Sequence, residues 1–470
     1  MTRRMPFRAF WVGLPLILSG GTIAGEPLRL PETFPIPMAF RPLESGAPIE
    51  KLAPFPIVHA GPIEKIKERW PEKICILHRP YAAIHRNLVD ARRRRHVRVW
   101  PGHFLYWTGS KVTGDIAADA GVTRIPVEHP ERFRTDTPNG LGVPDDVVLY
   151  RLDAHGRPDW SHAEYAIVTA VGPTFIEVRR GQYGTRALAF QAGRAAVATH
   201  AQYCGDNTGV RSWSLNFSLQ CPRSPEGLTA AEWAAKFWAE ELLQRHPAAD
   251  GVEFDVGMWR HTLFHRPVDC NNDLVPDYGY TGGVNSFGLG GQVFVRELRR
   301  RLGPNKIIQI DSSGAAGGFR GWKYVNGIEM ESFPSGSHFD RFSPAFEHLR
   351  HWVEKTETRP KFSYGFTKIA TTVYGDKYLP DGSKTDFRFR VGLAAALMVG
   401  MPHQYAAAPG ASVRTSAGNR SPDATYVRIL TNDAPRFGMS GSILCFSFHS
   451  WLSRARCWFV SVAIFRSTYC

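Results

Sequence analysis

Three short apolar segments of this chain carry polar or acidic residues at alternating positions, and this pattern limits what the chain can fold into. Successive side chains of a β-strand point to opposite faces of the sheet. Burying an unpaired charge costs on the order of several kcal/mol, so the face that bears the acids must border solvent or a polar cavity. The segments are GVEFDV (251–256), KIIQID (306–311) and GIEMES (327–332).

Each of the three segments divides into an apolar face and a polar face. Val252 and Phe254 oppose Glu253 and Asp255 in the first segment. The second and third segments follow the same alternation, with the acids near the C-terminal end of each strand. The sequence therefore predicts a cluster of carboxylates in one shared cavity, formed by Glu253, Asp255, Asp311, Glu329 and Glu331. The alternative interpretation is that these acids are surface charges or structural partners of the many arginines.

Strand and helix patterns alternate from about residue 211 onward. A helix is predicted to begin after Thr229, with Glu232 completing a capping box, and another is predicted over Gln292–Leu302 before Gly303 and Pro304. Alternation of this kind favours a parallel sheet with helical crossovers. The candidate strands are 103–107, 213–218, 251–256, 306–311, 327–332, 361–366 and 402–406.

The predicted fold class is α/β, a (β/α)8 TIM-type barrel with a small inserted β-rich module and a last strand that is not assigned. Active sites of such barrels lie at the C-terminal ends of the strands, where the acids are expected. The alternative is an open, doubly wound sheet. A dinucleotide-binding version of that sheet loses support because no G-x-G-x-x-G motif follows a candidate strand.

The N-terminal residues 1–24 have the basic, apolar and small-residue order of a signal peptide, with Arg3 and Arg4 at the start. This order predicts a secreted or periplasmic protein without a stable membrane anchor; an uncleaved N-terminal anchor is the alternative. Residues 25–95 are proline-rich and are interpreted as an N-terminal arm.

The barrel is predicted over 96–435, interrupted by the β-rich module at 111–200, where three strand patterns are separated by turn signals. Residues 436–470 are interpreted as an atypical, non-native tail because no Asp, Glu or Lys follows Asp433. A non-native tail would leave the eighth barrel unit incomplete.

The chain has a formal net charge of +14, part of which comes from the run Arg92–Arg95. A solvated basic face is the simpler interpretation of this run, and contact with phosphate or an anionic polymer stays open. No nucleic-acid-binding motif accompanies it, so no nucleic-acid partner is predicted. Seven cysteines are too few for a disulfide scaffold, although Cys204 and Cys221 flank a candidate strand and could pair in an oxidising compartment.

Carboxylates that lie close together, with aromatic residues nearby and no metal motif, are typical of glycoside hydrolases. One carboxylic acid protonates the leaving oxygen, and a second carboxylate attacks the anomeric carbon or activates water. Crowding raises the pKa of one acid and keeps it protonated near neutral pH. A carbohydrate is therefore the predicted partner. The candidate substrate-binding residues are Trp259, Trp322, Tyr324 and Asn216, although the aromatic ones could equally be packing residues.

The motifs DGVEFDVGMW and NGIEMESF, together with the export signal and the RFRVGLAAALMVG helix, resemble secreted (β/α)8-barrel glycoside hydrolases. The similarity extends loosely to the endo-α-1,4-polygalactosaminidase-like group and covers roughly residues 210–410. That group has a GxExDN-like strand and a later strand that ends in Glu, and Val256 stands here where the group often has Asn.

This resemblance implies residue roles within the carboxylate cluster. Asp255 would be the nucleophile or base and Glu331 the acid. Glu253, Asp311 and Glu329 would hold substrate or tune pKa values. The resemblance also allows the roles to be exchanged.

The loop DCNNDLVPDYGY, which follows the first acidic strand, resembles a calcium-binding loop in its spacing. Leu274 occupies the position that favours Gly, and Tyr280 replaces the bidentate Glu, so an acidic loop capped by turns is the alternative. His261 and His265 leave a zinc interpretation open, and no cofactor is predicted to be required. The candidate calcium ligands are Asp269, Asn271, Asp273 and Asp277.

Three functions are consistent with these patterns. The first is a secreted glycosidase that cleaves a polysaccharide or oligosaccharide. The second is a non-catalytic carbohydrate-binding or cell-envelope barrel protein, and the third is a metal-dependent hydrolase that uses the 269–277 loop. The oligomeric state stays open.

Overall fold

The structure of the protein is a computed structural model. This structure describes residues 28–32, 36–40, 49–135, 144–203, 212–257, 259, 267–312, 320–331, 333, 342–369, 387–407, 444–446 and 462–464. The predicted signal peptide, Cys204, His261 and His265 lie outside the described residues. Of the predicted atypical tail, the described part is an antiparallel pair between Leu444–Phe446 and Val462–Ile464.

Eight parallel strands form the central sheet and pair in chain order. The first strand also pairs with the last, through Pro37 with His403 and Met38 with Gln404, so the sheet closes into a barrel at a seam of two residue pairs. The strands are β1 (Pro37–Phe40), β2 (Ile57–His59), β3 (Ile74–Pro80), β4 (Gly251–Asp255), β5 (Ile307–Asp311), β6 (Gly327–Glu331), β7 (Tyr364–Ile369) and β8 (His403–Ala407).

Helices occupy five of the crossovers between these strands, so the structure is mixed α/β and compatible with a TIM-like fold. No helix separates β5 from β6 in the described part of that connection, and a 3-10 turn at Ile49–Leu52 precedes β2. The helices are α1 (Ile63–Arg69), α2 (Arg86–Val89), α3 (Ala230–Glu240), α4 (Ser286–Leu302), α5 (Phe342–Lys355) and α6 (Phe387–Val399). Shorter turns are 3-10 helices at Pro101–His103 and Pro130–Arg132 and a π-helix at Glu241–Arg245.

Among these described helices, none combines the length and the apolar character that a membrane crossing requires.

Two of the predicted barrel strands belong to other sheets. In the 103–107 segment, Tyr106–Trp107 pairs antiparallel with Val268–Asp269. In the 213–218 segment, the strand Ser212–Ser214 lies in a three-stranded sheet with Ala83–His85 and Gln202–Tyr203.

The first three barrel strands come instead from residues 37–80, although the proline content of this region predicts an N-terminal arm. These strands are short, and Pro37 and Pro80 stand at a strand end, where a missing N–H is tolerated. All three residues of β2 are buried, as expected for a parallel strand that is covered on both faces. These three strands were not predicted because their apolar segments are short and lie in a proline-rich region.

A six-stranded antiparallel sheet lies between β3 and α3, in the region where the sequence pattern predicts a β-rich module. It has its own apolar core. The strand Tyr106–Trp107, which precedes this sheet in the chain, pairs with Val268–Asp269 in the segment that follows β4. Because the chain leaves the C-terminal end of β3 to form it, this sheet is attached at the end of the barrel where the acids lie. Its strands are Ser110–Lys111, Val122–Pro126, Asp146–Leu152, Pro158–Val171, Phe175–Gln182 and Ala195–Thr199.

The outer face of β4 packs against helices. The ring of Phe254 lies 6.1 Å from Trp238 of α3 and 5.1 Å from Phe294 of α4, measured between ring centroids. The apolar residues of β4 thus point to the helical layer, and Glu253 points into the barrel.

The buried thiol of Cys221 contacts backbone groups. It lies 3.8 Å from the Gly102 carbonyl oxygen, and the Ala230 N–H donates to it at 3.4 Å. Its predicted pairing with Cys204 involves a residue outside the described part and stays a prediction.

The predicted capping box at the start of α3 is confirmed. The Glu232 N–H donates to Thr229 Oγ1 at 3.3 Å, and the Thr229 N–H donates to Glu232 Oε2 at 2.8 Å. These two contacts satisfy amide groups that have no partner within the helix.

Substitution of Thr229 by Ala is expected to lower the free energy of unfolding by about 1 kcal/mol, because it removes the acceptor of the cap. Thr229→Ser retains the hydroxyl and is the matched control. Urea unfolding at neutral pH measures both variants. Equal midpoints for Ala and Ser would contradict a stabilising role for this cap.

Candidate functional site

Two acids of the predicted cluster meet at one tyrosine inside the barrel. The Tyr364 hydroxyl lies 2.8 Å from Glu253 Oε2 and 2.9 Å from Glu329 Oε2. Glu253 and Tyr364 are fully buried, and Glu329 is nearly so. Strands β4, β6 and β7 supply the three side chains. Glu329 of β6 and Tyr364 of β7 are paired in register, so they lie at the same height in the barrel.

A buried histidine completes this cluster. His59 Nδ1 lies 2.5 Å from Glu253 Oε2 and 3.1 Å from the Tyr364 hydroxyl. Burial lowers the pKa of His59 to about 3, although its hydrogen bond with Gln309 opposes the shift. The imidazole is therefore neutral at pH 7, and its contact with Glu253 is a hydrogen bond rather than an ion pair.

The pKa of the Glu253 carboxyl lies close to neutral pH. Burial raises its pKa to about 7, and the negative charges of Asp311 and Asp255 act in the same direction. Hydrogen bonds with Glu329 and Tyr364 counteract part of the rise. A carboxyl group in this condition can donate or accept a proton near pH 7.

The raised pKa of Glu253 predicts a pH dependence of stability. Between pH 4.5 and 7 the folded state holds this proton while the unfolded state releases it, so the contribution of Glu253 is present below pH 4.5 and is lost as the pH rises through 7. The loss is on the order of 3 kcal/mol. His59 acts oppositely, because its lowered pKa stabilises the folded state as the pH rises from 3 to 6.5.

The two opposing contributions are separated by comparing the wild type with Glu253→Gln. We expect the free energy of unfolding of the variant, relative to the wild type, to increase as the pH rises from 4.5 to 7. Urea unfolding over this range measures the difference, and the contribution of His59 to both curves largely cancels. Parallel curves for the two proteins would contradict the assigned pKa shift.

Asp255 and Glu331 end their strands at the C-terminal mouth of the barrel. The Asp255 side chain is 34% exposed, and its Oδ2 lies 4.0 Å from His78 Nε2. Glu331 is half-buried and pairs in register with Phe366, one layer beyond Glu329. Their strands β4 and β6 flank β5, so the two backbones are about 10 Å apart across the sheet.

The structure thus arranges the five predicted acids in layers. Glu253, Asp255, Asp311 and Glu329 are linked by hydrogen bonds or by electrostatic interaction with Glu253. Glu331 lies farther out, at the end of β6.

The backbone immediately after Asp255 adopts a rare conformation. Val256 has a φ of 59°, a left-handed value that is uncommon for a β-branched residue. Gly257 follows, and a Cβ there would lie 1.8 Å from Ile310 Cγ2. Strained residues of this kind persist where the surrounding structure enforces them, which is frequent beside functional side chains.

The predicted substrate-binding residues lie in different places. Trp259 follows β4 at the mouth of the barrel, and the guanidinium of Arg320 lies 5.2 Å from its ring. Trp322 and Tyr324 precede β6, at the opposite end of the barrel from the acids. The Trp322 ring packs against Trp352 of α5. These positions do not bring Trp322 and Tyr324 to the acidic mouth.

Asn216 is fully buried and hydrogen-bonded to backbone. Its Nδ2 donates to the Cys270 carbonyl at 2.6 Å, and its Oδ1 accepts from the Ser218 N–H at 3.1 Å. This residue fixes two loops to each other at the mouth, and its polar groups already have partners.

The side chains of the predicted calcium loop cap its own turns. Asp269 accepts from the Leu274 N–H at 2.7 Å, and Asp277 accepts from the Cys270 N–H at 2.9 Å. Asn271 donates to Asp273 at 2.9 Å. Burial raises the pKa of Asp269 to about 7. Within the described residues, no group of three or more acidic, His or Cys side chains is arranged to hold a metal ion.

Three residues of the site were not singled out from the sequence. Tyr364 lies on a strand that the sequence did predict, on the same face as Phe362 and Phe366. The two-residue period of the strand could therefore have placed its side chain on that face. His59 and His78 lie on β2 and β3, which were not recognised as strands.

Comparisons with known proteins assign no family to this chain. No family model matches it, and no curated protein matches it. Among solved structures, the chain is similar to a GH18 chitinase from Pseudoalteromonas aurantia, with 12% sequence identity and a TM-score of 0.25. The match covers 37% of this chain and 62% of the chitinase chain, so this chain spans less than two thirds of the chitinase. A TM-score of this size is too low to establish a shared fold.

Proposed function

We propose that this protein is a glycoside hydrolase that cleaves a polysaccharide or oligosaccharide with paired carboxylates. The observation that carries the proposal is the pair of buried carboxylates, Glu253 and Glu329, held on the Tyr364 hydroxyl directly beneath two acid-bearing strand ends. TIM-type barrels usually fill their interior with branched apolar side chains. Acids kept at this depth, at a cost in desolvation, favour a chemical role over a packing role.

The proposed chemistry takes place at the mouth of the barrel. Glu331 donates its carboxylic proton to the glycosidic oxygen as the bond from that oxygen to the anomeric carbon breaks. The Asp255 carboxylate either attacks the anomeric carbon or takes a proton from the attacking water. Asp255 suits this role because its side chain is one-third exposed and has His78 beside it.

The buried acids would act through their charge. A proton on Glu253 reduces the repulsion felt by Asp255, whereas its loss would add a negative charge below the reacting sugar. The neutral His59 and the Tyr364 hydroxyl fix the Glu253 oxygen that they share. Glu253, Asp311 and Glu329 are therefore proposed to tune the pKa values of the two acids at the mouth.

The second candidate is a non-catalytic carbohydrate-binding barrel. It is favoured by the complete burial of Glu253 and Tyr364, because a sealed hydrogen-bonded network can also be purely structural. A carbohydrate is the partner under both proposals. Secretion rests on the N-terminal signal pattern alone, and a structural calcium ion in the 269–277 loop likewise stays a proposal.

The experiment is a screen of the full chain against neutral and acidic polysaccharides in which hydrolysis and binding are measured on the same samples. Release of new reducing ends, together with binding, supports the hydrolase. Binding without release from any polymer favours the carbohydrate-binding protein. Activity that disappears with a chelator would favour the metal-dependent alternative.

A further inference from the structure

The arginine loop, Arg92–Arg95, is a fixed and highly basic surface feature. Its backbone is anchored on both sides, because the Ala91 N–H donates to the Tyr183 carbonyl at 3.1 Å and the Val97 N–H donates to the Leu88 carbonyl at 2.6 Å. All four arginines are exposed. The loop therefore presents its guanidinium groups from a defined backbone.

Only the first arginine of the loop is neutralised by an acid in the described part of the chain. Arg92 donates to both oxygens of Asp90, at 2.8 and 2.6 Å. Arg93, Arg94 and Arg95 have no carboxylate within ion-pairing distance among the described residues. Three positive charges thus face solvent side by side, which favours an anionic partner.

An aromatic groove continues from the arginine loop. Val97 and Arg98 line it on one side and helix α3 on the other, and this open groove has a volume of about 230 Å³. The rings of Trp233 and Phe237 stack in it with their centroids 5.4 Å apart. Its polar lining consists of Arg98, Lys236, Glu226 and Glu240.

We propose that the arginine loop and this groove bind an anionic polysaccharide, such as a chain of uronic acid units. The guanidinium groups would pair with sugar carboxylates, and the aromatic rings would contact sugar faces. Glu226 and Glu240 could accept hydrogen bonds from sugar hydroxyls. The assignment of the polymer as a carbohydrate rests on the proposed function.

The mixed charge of the groove separates this polymer from other polyanions. A nucleic acid carries a phosphate on every nucleotide, and an anionic membrane presents a continuous negative surface, so Glu226 and Glu240 would repel both. A polymer of uronic acid units also carries a charge on every unit, but its hydroxyl groups can donate hydrogen bonds to Glu226 and Glu240. It can therefore place its carboxylates at the loop and its hydroxyls in the groove.

The test compares three full-length proteins: the wild type, a loop variant and a control variant. The loop variant carries Arg93→Ser, Arg94→Ser and Arg95→Ser. The control variant carries Arg134→Ser, Arg179→Ser and Arg194→Ser, three exposed arginines on or beside the antiparallel sheet, so it loses the same net charge. The probes are polygalacturonate, neutral dextran, double-stranded DNA, and vesicles that contain phosphatidylserine.

We expect polygalacturonate affinity to fall by at least about tenfold in the loop variant, as for the loss of several charge-assisted contacts, and to stay within about twofold in the control. Salt should weaken the wild-type binding more than that of the loop variant. Equal losses in the two variants would overturn the proposal, because they would show a general effect of net charge. Tighter binding of DNA or vesicles than of polygalacturonate, lost in the loop variant, would overturn the assignment to a polysaccharide.

This binding measurement is independent of catalysis. Repeating it with Asp255→Asn should give the wild-type affinity, since Asp255 belongs to the mouth of the barrel. An intact loop effect in a protein that hydrolyses nothing would uphold the inferred surface while the proposed hydrolase fails. If the protein hydrolyses a polysaccharide but the loop variant binds polygalacturonate as the wild type does, the proposed hydrolase is upheld and the inferred surface is wrong.

Discussion

Replacing Asp255 with Asn is expected to lower kcat/KM on the substrate identified by screening by about 10³-fold, while binding of the polymer is retained. Asparagine keeps the size of the side chain but can neither attack the anomeric carbon nor accept a proton from water. Losses of about 10² to 10⁴ are typical when a group of this kind is removed. Initial rates of reducing-end release and calorimetric binding measure the two quantities.

Glu331→Gln tests the other half of the proposed pair. Its loss should be comparable, and smaller for substrates with a good leaving group, since these need less help from an acid. Asp119→Asn, an exposed acid in the connection between the strands Ser110–Lys111 and Val122–Pro126 of the antiparallel sheet, is the matched control and should keep wild-type activity. Unchanged hydrolysis in Asp255→Asn would exclude Asp255 from the chemistry. If the wild type binds the polymer but does not hydrolyse it, the carbohydrate-binding alternative is the one that holds.

The acidic strands could be recognised from the sequence because each is self-contained. β4, β5 and β6 are five-residue runs in which apolar and polar positions alternate, so side-chain period and strand direction follow from a few residues. Their alternation with helices also predicted the parallel order, and the structure confirms that parallel sheet. The capping box at Thr229 was equally local and was confirmed.

The first half of the barrel could not be recognised in the same way. β1 and β2 have four and three residues, which is too short for a period to be visible. The long segment between β3 and β4 also interrupts the strand and helix alternation, so the patterns at 103–107 and 213–218 filled the missing positions. They proved to be strands of other small sheets.

The same limitation explains the site residues that were missed. Glu253 and Glu329 were visible as acids in apolar strands, but their partner His59 comes from β2, nearly 200 residues earlier in the chain. Pairing across a barrel depends on strand order, which local patterns do not contain. Trp322 and Tyr324 were sequence neighbours of Glu329, yet residues that precede a strand lie at its N-terminal end, away from the mouth.

The largest stability effect is expected in the antiparallel sheet, at the ion pair of Arg180 and Glu164. Both side chains are completely buried, and Arg180 Nη2 donates to Glu164 Oε2 at 2.9 Å. Arg180→Met removes the positive charge and leaves the carboxylate without its main partner in an apolar sheet. Breaking a buried pair in this way costs about 3 to 5 kcal/mol, and urea unfolding monitored by circular dichroism measures the loss.

An exposed pair on the same sheet provides the control. Arg151 and Asp159 form an ion pair in which the arginine is 52% exposed, so Arg151→Met should cost no more than about 1 kcal/mol. The double variant Arg180→Met with Glu164→Leu should recover much of the loss, because no buried charge is left over. Equal losses of stability in the two single variants would contradict this expectation, and so would a double variant no more stable than Arg180→Met alone. Either result would mean that lost packing, rather than an uncompensated charge, sets the stability of this sheet. The attachment of the sheet beside the acidic mouth would then not depend on the ion pair.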